Sequence, residues 1–439
     1  MFENDPSEIN KTECNLVPCN NASEFQIKNF SIGNNIELSN VNESVVNLYV
    51  SKEMEINNET EQLHSMDSEK QIIMKDTKDL SVIDYAEKIT CCGNWNNERF
   101  LKGCKWSPDE IGNRVLVLDG DNKLKIFHCF LNKIDYNKSQ ISSDNYELSC
   151  IGNIYDYDWY PLIEPSQYYI IVASSLGPVH IYDMTISKSI SSYQMNDEAI
   201  YAHCVTCSPD GMTVLSGTTD YIFIFDTNRP GKMFNRILTR PYFKRGIISS
   251  ISINPMRNSM FAVGSYNSRI GIYDETKLLC MLYGHAKGVT QLKFSNNGLF
   301  LYSGVRGSSE IICWDLRNPG TALFRLDRVV KTQQRIYFDI TPDSRYVFSG
   351  NTNGYVYIWD TLLPPKGQVL PFFHKFQAHS DCTNGISIHK QLPFFATVSG
   401  QYHNPVFLLD SDNDDKEDDN QIFICEEENS LKLWHMNRN

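Results

Sequence analysis

After residue 95 the chain alternates short runs of β-branched and aromatic residues with Gly, Asn, Asp and Pro. Runs of about four to eight such residues, bounded by turn-forming residues, are typical of short β-strands. No part of this region shows the sustained helical periodicity of a long amphipathic helix. The pattern therefore predicts an all-β domain built from many short strands.

Seven strand endings in this region resemble one another, and each combines aliphatic residues with an aromatic ring near its end. From one ending to the next along the chain, the last residues are 56, 43, 48, 41, 45 and 74 positions apart. One four-stranded blade of a β-propeller takes about 40–45 residues, so the spacing predicts one blade per ending, with an insertion in each long interval. The endings are Leu124–Phe127, Val179–Asp183, Ile222–Asp226, Ile270–Asp274, Ile311–Asp315, Tyr355–Asp360 and Leu431–Trp434.

The repeats also carry the signature of the WD class of propellers. Upstream strands end in Pro-Asp turns, as in Cys204–Gly211, and later strands end in Ser-Gly, as in Leu215–Gly217. Gly284 and His285 open one blade, and Gly-His together with Trp-Asp is the propeller signature. We therefore predict an all-β, seven-bladed WD-repeat β-propeller, in which His285 hydrogen-bonds within its own blade.

The predicted propeller spans residues 81–439. A spare strand near Tyr85 to Cys91 is expected to pair outside the last blade's Leu431–Trp434 strand, because closure of the ring removes exposed strand edges. Residues 1–80 hold 15 acidic residues, 6 basic residues and 13 Asn, with few aromatic rings. Such a composition does not offset the entropy lost on ordering, so it predicts a disordered acidic Asn-rich tail.

Charge and cysteine content limit the classes of partner and the cellular compartments that we expect for this protein. The 439 residues carry a net charge of −13, but much of the excess acid lies in the tail and in Asp410–Asp419, within a predicted acidic loop insertion at 410–420 of the last blade. Basic patches can therefore occur on the propeller body. Thirteen cysteines without an export signal are typical of reduced intracellular thiols, and no apolar run is long enough for a membrane span.

No constellation of residues predicts catalysis. The consecutive His379, Ser380 and Asp381 cannot converge as a triad must, and phosphate-binding Gly-rich motifs are absent. Cys204 and Cys207 are three apart in a predicted strand and have no second ligand pair, so the sequence predicts no metal site. We predict a protein that is not an enzyme and that has no cofactor.

Binding is better supported, because several cations fall in loops that propeller geometry places on one face. They enter inner strands or lie between second and third strands, and aromatic rings and amides are interleaved with them. The cations are Lys102, Arg245, Arg269, Lys287, Arg306 and Arg335, and the other residues are Phe100, Tyr155, Tyr266, Tyr337, Asn384, Gln401 and Tyr402. Cations beside stacking rings suit single-stranded RNA, although the residues alone favour a protein partner.

Particular segments, beyond generic blade packing, resemble the telomerase Cajal body protein 1 family of WD-repeat proteins. The resemblance runs from about residue 98 to the C-terminus. Its most specific stretches are Phe100–Trp106, Ile154–Tyr160, Arg229–Gly231, Gly246–Ser249, Gly284–Thr290, Cys313–Arg317, Gln334–Asp339, Asp381–Gly385 and Ala396–Gln401.

The resemblance implies an RNA-binding adaptor that recognises the CAB box of small Cajal body RNAs, and of telomerase RNA where that RNA has the box. It also implies nuclear localisation in Cajal bodies with a cytoplasmic fraction, and partnership with H/ACA ribonucleoprotein proteins around dyskerin, with coilin and with the survival of motor neuron protein. Phosphates or guanine edges are the expected ligands of Lys102, Arg245, Arg306 and Arg335. The alternative is a protein-only WD-repeat scaffold.

Overall fold

The computed structural model describes residues 87–92, 100–108, 112–131, 139–150, 152–161, 167–195, 200–401 and 428–436. Within these residues the strands form seven sheets, one per predicted repeat, and neighbouring strands in each blade are antiparallel. This arrangement confirms the seven-bladed propeller. The predicted tail at 1–80, the acidic insertion at 410–420 and Tyr402 lie outside the described residues.

Each blade has four strands, which we give from the central channel outward. Blades one to three comprise Leu101–Trp106, Arg114–Asp119, Lys123–Phe130 and Gln140–Ser149; Ile154–Trp159, Tyr169–Ser174, Val179–Asp183 and Lys188–Tyr193; and Cys204–Cys207, Thr213–Gly217, Tyr221–Asp226 and Asn235–Leu238. Blades four and five comprise Ile248–Asn254, Arg257–Ser265, Ile270–Asp274 and Lys277–Leu282; and Val289–Phe294, Phe300–Val305, Glu310–Asp315 and Ala322–Asp327. Blades six and seven comprise Phe338–Ile340, Tyr346–Gly350, Tyr355–Asp360 and His374–Gln377; and Thr383–Ile388, Phe394–Ser399, Leu431–His435 and Glu87–Cys92.

Two short elements lie outside this plan. Val369–Leu370 adds a parallel strand to the outer edge of blade five, against Ala322–Asp327. The four-residue helix Arg240–Phe243 connects blade three to blade four. No helix in the described part of the chain is long and apolar enough to span a membrane.

The ring closes where the sequence predicted. Glu87–Cys92 pairs antiparallel with Leu431–His435, with Glu87 opposite His435 and Cys92 opposite Leu431. The last blade therefore takes its outer strand from the N-terminal side of the propeller and its three inner strands from the C-terminal side. Closure of this kind leaves no open end in the ring of blades.

The hydrophobic core is divided among the interfaces between blades. One cluster joins Leu101 and Val115 of blade one to Phe394 and Leu433 of blade seven, and equivalent clusters lie between other neighbours. Burying one such side chain contributes about 1.5–3 kcal/mol, so the stacked faces hold the blades in a fixed order around the axis.

A polar network fixes the strands within blade five. The Ser303 hydroxyl lies 2.6 Å from His285 Nε2 and accepts a hydrogen bond of 2.7 Å from Trp314 Nε1. All three side chains are buried. The prediction that His285 hydrogen-bonds within its own blade is thus confirmed.

Blade seven repeats the network with an added ion pair. The Thr397 hydroxyl lies 2.7 Å from His379 Nε2 and accepts a bond of 2.8 Å from Trp434 Nε1. Glu428 lies 2.9 Å from His379 Nδ1 and 2.6 Å from Lys432 Nζ. The network therefore links Thr397 of the second strand and Trp434 of the third strand to His379, which lies in the segment leading into the inner strand of this blade.

We predict that Thr397→Val lowers the free energy of unfolding by about 1–3 kcal/mol, because it removes the hydroxyl and leaves buried donors unpaired. Thr397→Ser is the matched control, since it keeps the hydroxyl and loses only a methyl group worth about 0.8 kcal/mol. Chemical denaturation measures both. A valine variant as stable as the serine variant would contradict the role of this hydroxyl.

The pH dependence of stability should report His379. Burial lowers the pKa of His379 from 6.5 to about 4, so the folded state holds it neutral while the unfolded chain takes up a proton first. The free energy of unfolding should therefore fall by about 1–2 kcal/mol per such histidine between pH 6.5 and 5. His379→Gln should flatten this slope. An unchanged slope in His379→Gln would argue against the assignment.

Candidate nucleic-acid interface

The loops that enter the inner strands share one face of the disc. The first residue of an inner strand pairs with the last residue of the second strand, as Leu101 does with Asp119 and Ile248 does with Ser265. We call this the upper face, and the face where inner strands end is the lower face. The twelve predicted residues that the structure describes have their backbones at the upper face, in the positions the repeat spacing predicted.

Four of the predicted cations come together above blades four and five. Arg306 lies over the Tyr266 ring at 4.1 Å from its centroid, and the Lys287 ammonium donates to the Gly307 carbonyl. The Arg269 guanidinium donates to the Tyr242 carbonyl, and Arg245 is exposed. We call Arg245, Arg269, Lys287, Arg306 and Tyr266 the basic cluster. A cation over an aromatic face is electrostatically favourable.

Local backbone contacts hold the centre of this cluster. The Arg306 amide donates to the Gly288 carbonyl at 2.9 Å, and the Tyr266 amide donates to the Ile247 carbonyl at 3.1 Å. A Cβ at Gly288 would lie only 2.8 Å from both Cα and O of Tyr266, so a glycine is required at this crossing. Nε of Arg306 is buried without a hydrogen-bond partner. The stacked pair is thus positioned by the fold before any ligand arrives.

An aromatic row lies beside the axis on blades two and three. The rings of Tyr155 and His203 are 5.2 Å apart, and Tyr201 meets His203 edge-on at 6.2 Å. Tyr155 and Tyr201 are more than one-third exposed. Burial, followed by the charge of Arg335, lowers the pKa of His203 and favours its neutral form. The row therefore presents uncharged ring surfaces to solvent.

At the axis, Arg335 reaches from the loop entering blade six to two other blades. Its Nη2 donates to the Ser249 carbonyl at 3.0 Å, and its Nη1 lies 3.7 Å from Asp156 Oδ1. Burial lowers the pKa of Arg335, but Tyr337 and Asp156 raise it more, so the guanidinium keeps its proton. We call Arg335 and Asp156 the axial latch, because the pair spans the upper mouth of the channel.

The channel holds a cavity of about 780 Å³, which Arg335 and Asp156 help to line. Its lining follows the inner strands down to the turns of the lower face, such as Pro108 and Pro342. Lys105 pairs with Asp158 at 3.1 Å within it. Asp158 and Asp156, which the sequence places on one face of a strand, are thus both used in contacts that line the channel.

The comparisons with known proteins agree with this architecture. Residues 276–315 and 335–360 match the family described as WD domain, G-beta repeat. Telomerase Cajal body protein 1 of Mesocricetus auratus is 35% identical over 373 residues, which cover 78% of this chain and 67% of that protein. The chain belongs to the telomerase Cajal body protein 1 family.

Other relatives extend the match across animals. Telomerase Cajal body protein 1 of Mus musculus is 37% identical over 332 residues, which cover 70% of this chain and 61% of that protein. The Drosophila melanogaster homolog is 32% identical over 327 residues, which cover 70% of this chain and 58% of that protein. The family resemblance inferred from sequence motifs is confirmed, and the chain spans about two thirds or less of the length of these family members.

Within this member of the telomerase Cajal body protein 1 family, two of the predicted residues are used in joining blades seven and one. Asn384 is buried, and its amide donates to the Leu101 carbonyl at 2.6 Å and to the Gly400 carbonyl. Phe100 packs over Gly400, where an added Cβ would lie 2.7 Å from the Phe100 Cβ. Asn384 therefore stabilises the closure of the ring, and its amide is not offered at the surface.

The remaining predicted residues of blades one and seven are held by side-chain contacts. Lys102 Nζ donates to Asn122 Oδ1 at 2.9 Å, and burial lowers the pKa of Lys102. Gln401 Nε2 donates to Asp381 Oδ1 at 2.9 Å. These groups differ from Arg245 of the basic cluster, which is exposed.

Sequence reasoning missed Tyr201 and His203, although both lie in the loop that enters the inner strand Cys204–Cys207. That is the same position from which Lys287 and Arg335 were selected in other blades. The aromatic residues at this position, before an inner strand, are the sequence signal for the row.

We predict that the axial latch contributes to stability through a coupled pair. Arg335→Gln and Asp156→Asn should each destabilise the fold, and the double variant should lose about 1–3 kcal/mol less than the sum of the singles, because the residues are in contact. Chemical denaturation of the wild type and the three variants measures this coupling. Additive effects would show that the two side chains act independently.

Proposed function

We propose that the protein is an RNA-binding adaptor that recognises the CAB box of small Cajal body RNAs and directs their ribonucleoproteins to Cajal bodies. The observation that carries the proposal is the basic cluster. None of Arg245, Arg269, Lys287 and Arg306 makes an ion pair with a carboxylate of the described residues, and the Arg306 guanidinium is held 4.1 Å from the centroid of the Tyr266 ring. Family membership supports the same conclusion.

The chemistry of the cluster suits an unpaired RNA loop. Loops display base edges and faces that a duplex hides, and proteins recognise them by stacking and by hydrogen bonds to those edges. A guanidinium fork matches guanine O6 and N7, while lysine supplies a point charge for phosphate. The aromatic row of Tyr155, His203 and Tyr201 offers further stacking surfaces on the same face.

The proposal includes the partners that the family implies. These are H/ACA ribonucleoprotein proteins around dyskerin, coilin, the survival of motor neuron protein, and telomerase RNA where it carries a CAB box. It places the protein in the nucleus, in Cajal bodies, with a cytoplasmic fraction. The adaptor brings RNA and protein surfaces together and performs no catalysis.

The test is a filter-binding titration of the full chain against a hairpin with a CAB-box loop and a hairpin with that loop scrambled. The wild type should bind the intact loop more tightly. Arg306→Gln should weaken that binding by about fivefold or more, since loss of one base-reading arginine costs about 1–3 kcal/mol, and should affect the scrambled hairpin less. Arg335 is a poorer test residue because its loss also opens the axial latch.

Arg317→Gln is the matched control for this experiment. Arg317 is exposed at the lower face and pairs with Asp315 at 2.7 Å, so its removal takes one guanidinium from the opposite side of the disc. It should change neither titration by more than about twofold, because its charge is distant from the upper face. Equal and weak binding of both hairpins by the wild type would favour the protein-only scaffold.

A further inference from the structure

A second charged surface adjoins the basic cluster. Residues 227–273 include eight Arg and Lys and no Asp or Glu, in a chain whose net charge is −13. Two of these cations pair with acids outside the segment, since Arg229 contacts Asp226 and Arg257 contacts Asp274. The others give this part of the propeller a local charge opposite to that of the whole protein.

Four of these cations follow a radial path. Arg236 lies on Asn235–Leu238, the outermost strand of blade three, with its guanidinium 5.3 Å from the Tyr221 ring centroid. Arg240 opens the helical turn above that blade, and Lys244 and Arg245 lead to the inner strand of blade four. Four strands about 4.8 Å apart give this path a length of about 15 Å. We call Arg236, Arg240 and Lys244 the basic row.

The backbone beneath the row is firmly anchored. Phe243 is fully buried, and the Thr239 amide donates to the Asp220 carbonyl at 2.9 Å. The carboxylate of Asp220 accepts from the Gly246 amide at 3.0 Å, so this acid is used to hold the segment. The heads of Arg236, Arg240 and Lys244 are exposed and form no ion pair with the described residues.

The row is continuous with the basic cluster. Asn267 donates to the Arg245 carbonyl at 2.7 Å, and Arg269 of the cluster donates to the carbonyl of Tyr242, within the same helical turn as Arg240. A ligand seated on the cluster can therefore extend outward along the row without crossing an acidic residue of this segment. The row leads from the inner part of the upper face to the outer edge of blade three.

We propose that the basic row binds the phosphate backbone of the RNA stem whose loop occupies the basic cluster. The inference rests on the proposed function, because a loop read at the cluster requires its stem to leave the face along some path. A duplex carries phosphate charge about every 1.7 Å of its axis, so several phosphates fit along the row. Duplex RNA is recognised by its shape and backbone, for which exposed cations on a fixed scaffold suffice.

The experiment compares three RNAs with the full chain: the CAB-box hairpin, a single-stranded oligonucleotide of its loop, and a blunt duplex of its stem. The row variant is Arg236→Gln, Arg240→Gln and Lys244→Gln combined. The control variant combines Lys188→Gln, Lys277→Gln and Lys366→Gln, which removes equal charge from exposed lysines outside the row. Binding is measured at several salt concentrations.

The wild type and control should bind the hairpin about tenfold more tightly than the loop oligonucleotide, and the row variant should lose that advantage. The salt slope for the hairpin should fall by about 2–3 in the row variant, since each lost phosphate contact reduces it by about one. Oligonucleotide binding should be the same in all three proteins. An unchanged hairpin affinity, or an equal loss for hairpin and oligonucleotide, overturns the proposal.

The two proposals can fail separately. If the wild type does not prefer the CAB-box loop to its scrambled form, the proposed function fails. Binding of the blunt duplex then tests whether the basic row contacts an RNA stem. Duplex binding that is lost only in the row variant supports the stem surface. Duplex binding that is absent, or that is equal in all three proteins, overturns it and leaves an acidic protein as the partner to test.

Discussion

The propeller depends on hydrogen bonds that cross between neighbouring inner strands. Each inner strand has one edge without a strand partner, and unpaired backbone amides there would be costly to bury. Side chains of adjacent blades accept hydrogen bonds from these amides. Gln291 accepts from the Phe338 amide at 2.9 Å, and Asp339 accepts from the Ile388 amide at 2.8 Å. Ser387 accepts from the Trp106 amide at 2.8 Å. These bonds set the spacing of the inner strands, and so the positions of the loops that carry the basic cluster.

Much of the fold could be predicted from sequence because the repeat is local. Strand endings about one blade apart fixed the number of blades, and the spare segment before residue 95 identified the closing strand. The contacts that individual site residues make could not be predicted in the same way. Asn384 and Leu101, or Arg335 and Asp156, are far apart in the chain and meet only when the ring closes. The sequence therefore located the cations, but not which of them the fold itself would use.

Charge is segregated along this chain in a way that its net value conceals. An excess of acid in the whole protein coexists with a segment of 47 residues, 227–273, that has none. Screening limits the reach of a charge to about 8–10 Å in physiological salt, so an exposed group responds to its neighbours more than to distant acids. The upper face of blades three to five can consequently present a positive field on an acidic protein.

The pairing of Glu87–Cys92 with Leu431–His435 has a consequence for how the protein folds. The closing blade cannot assemble until Leu431–His435 has been synthesised, so the ring remains open until then. Until then Leu101 and Val115 of blade one lack the contact with the Leu433 strand that helps to cover them in the closed ring. Contacts between such distant parts of a chain form slowly. The lifetime of the open ring therefore sets how long its apolar blade faces are exposed to aggregation.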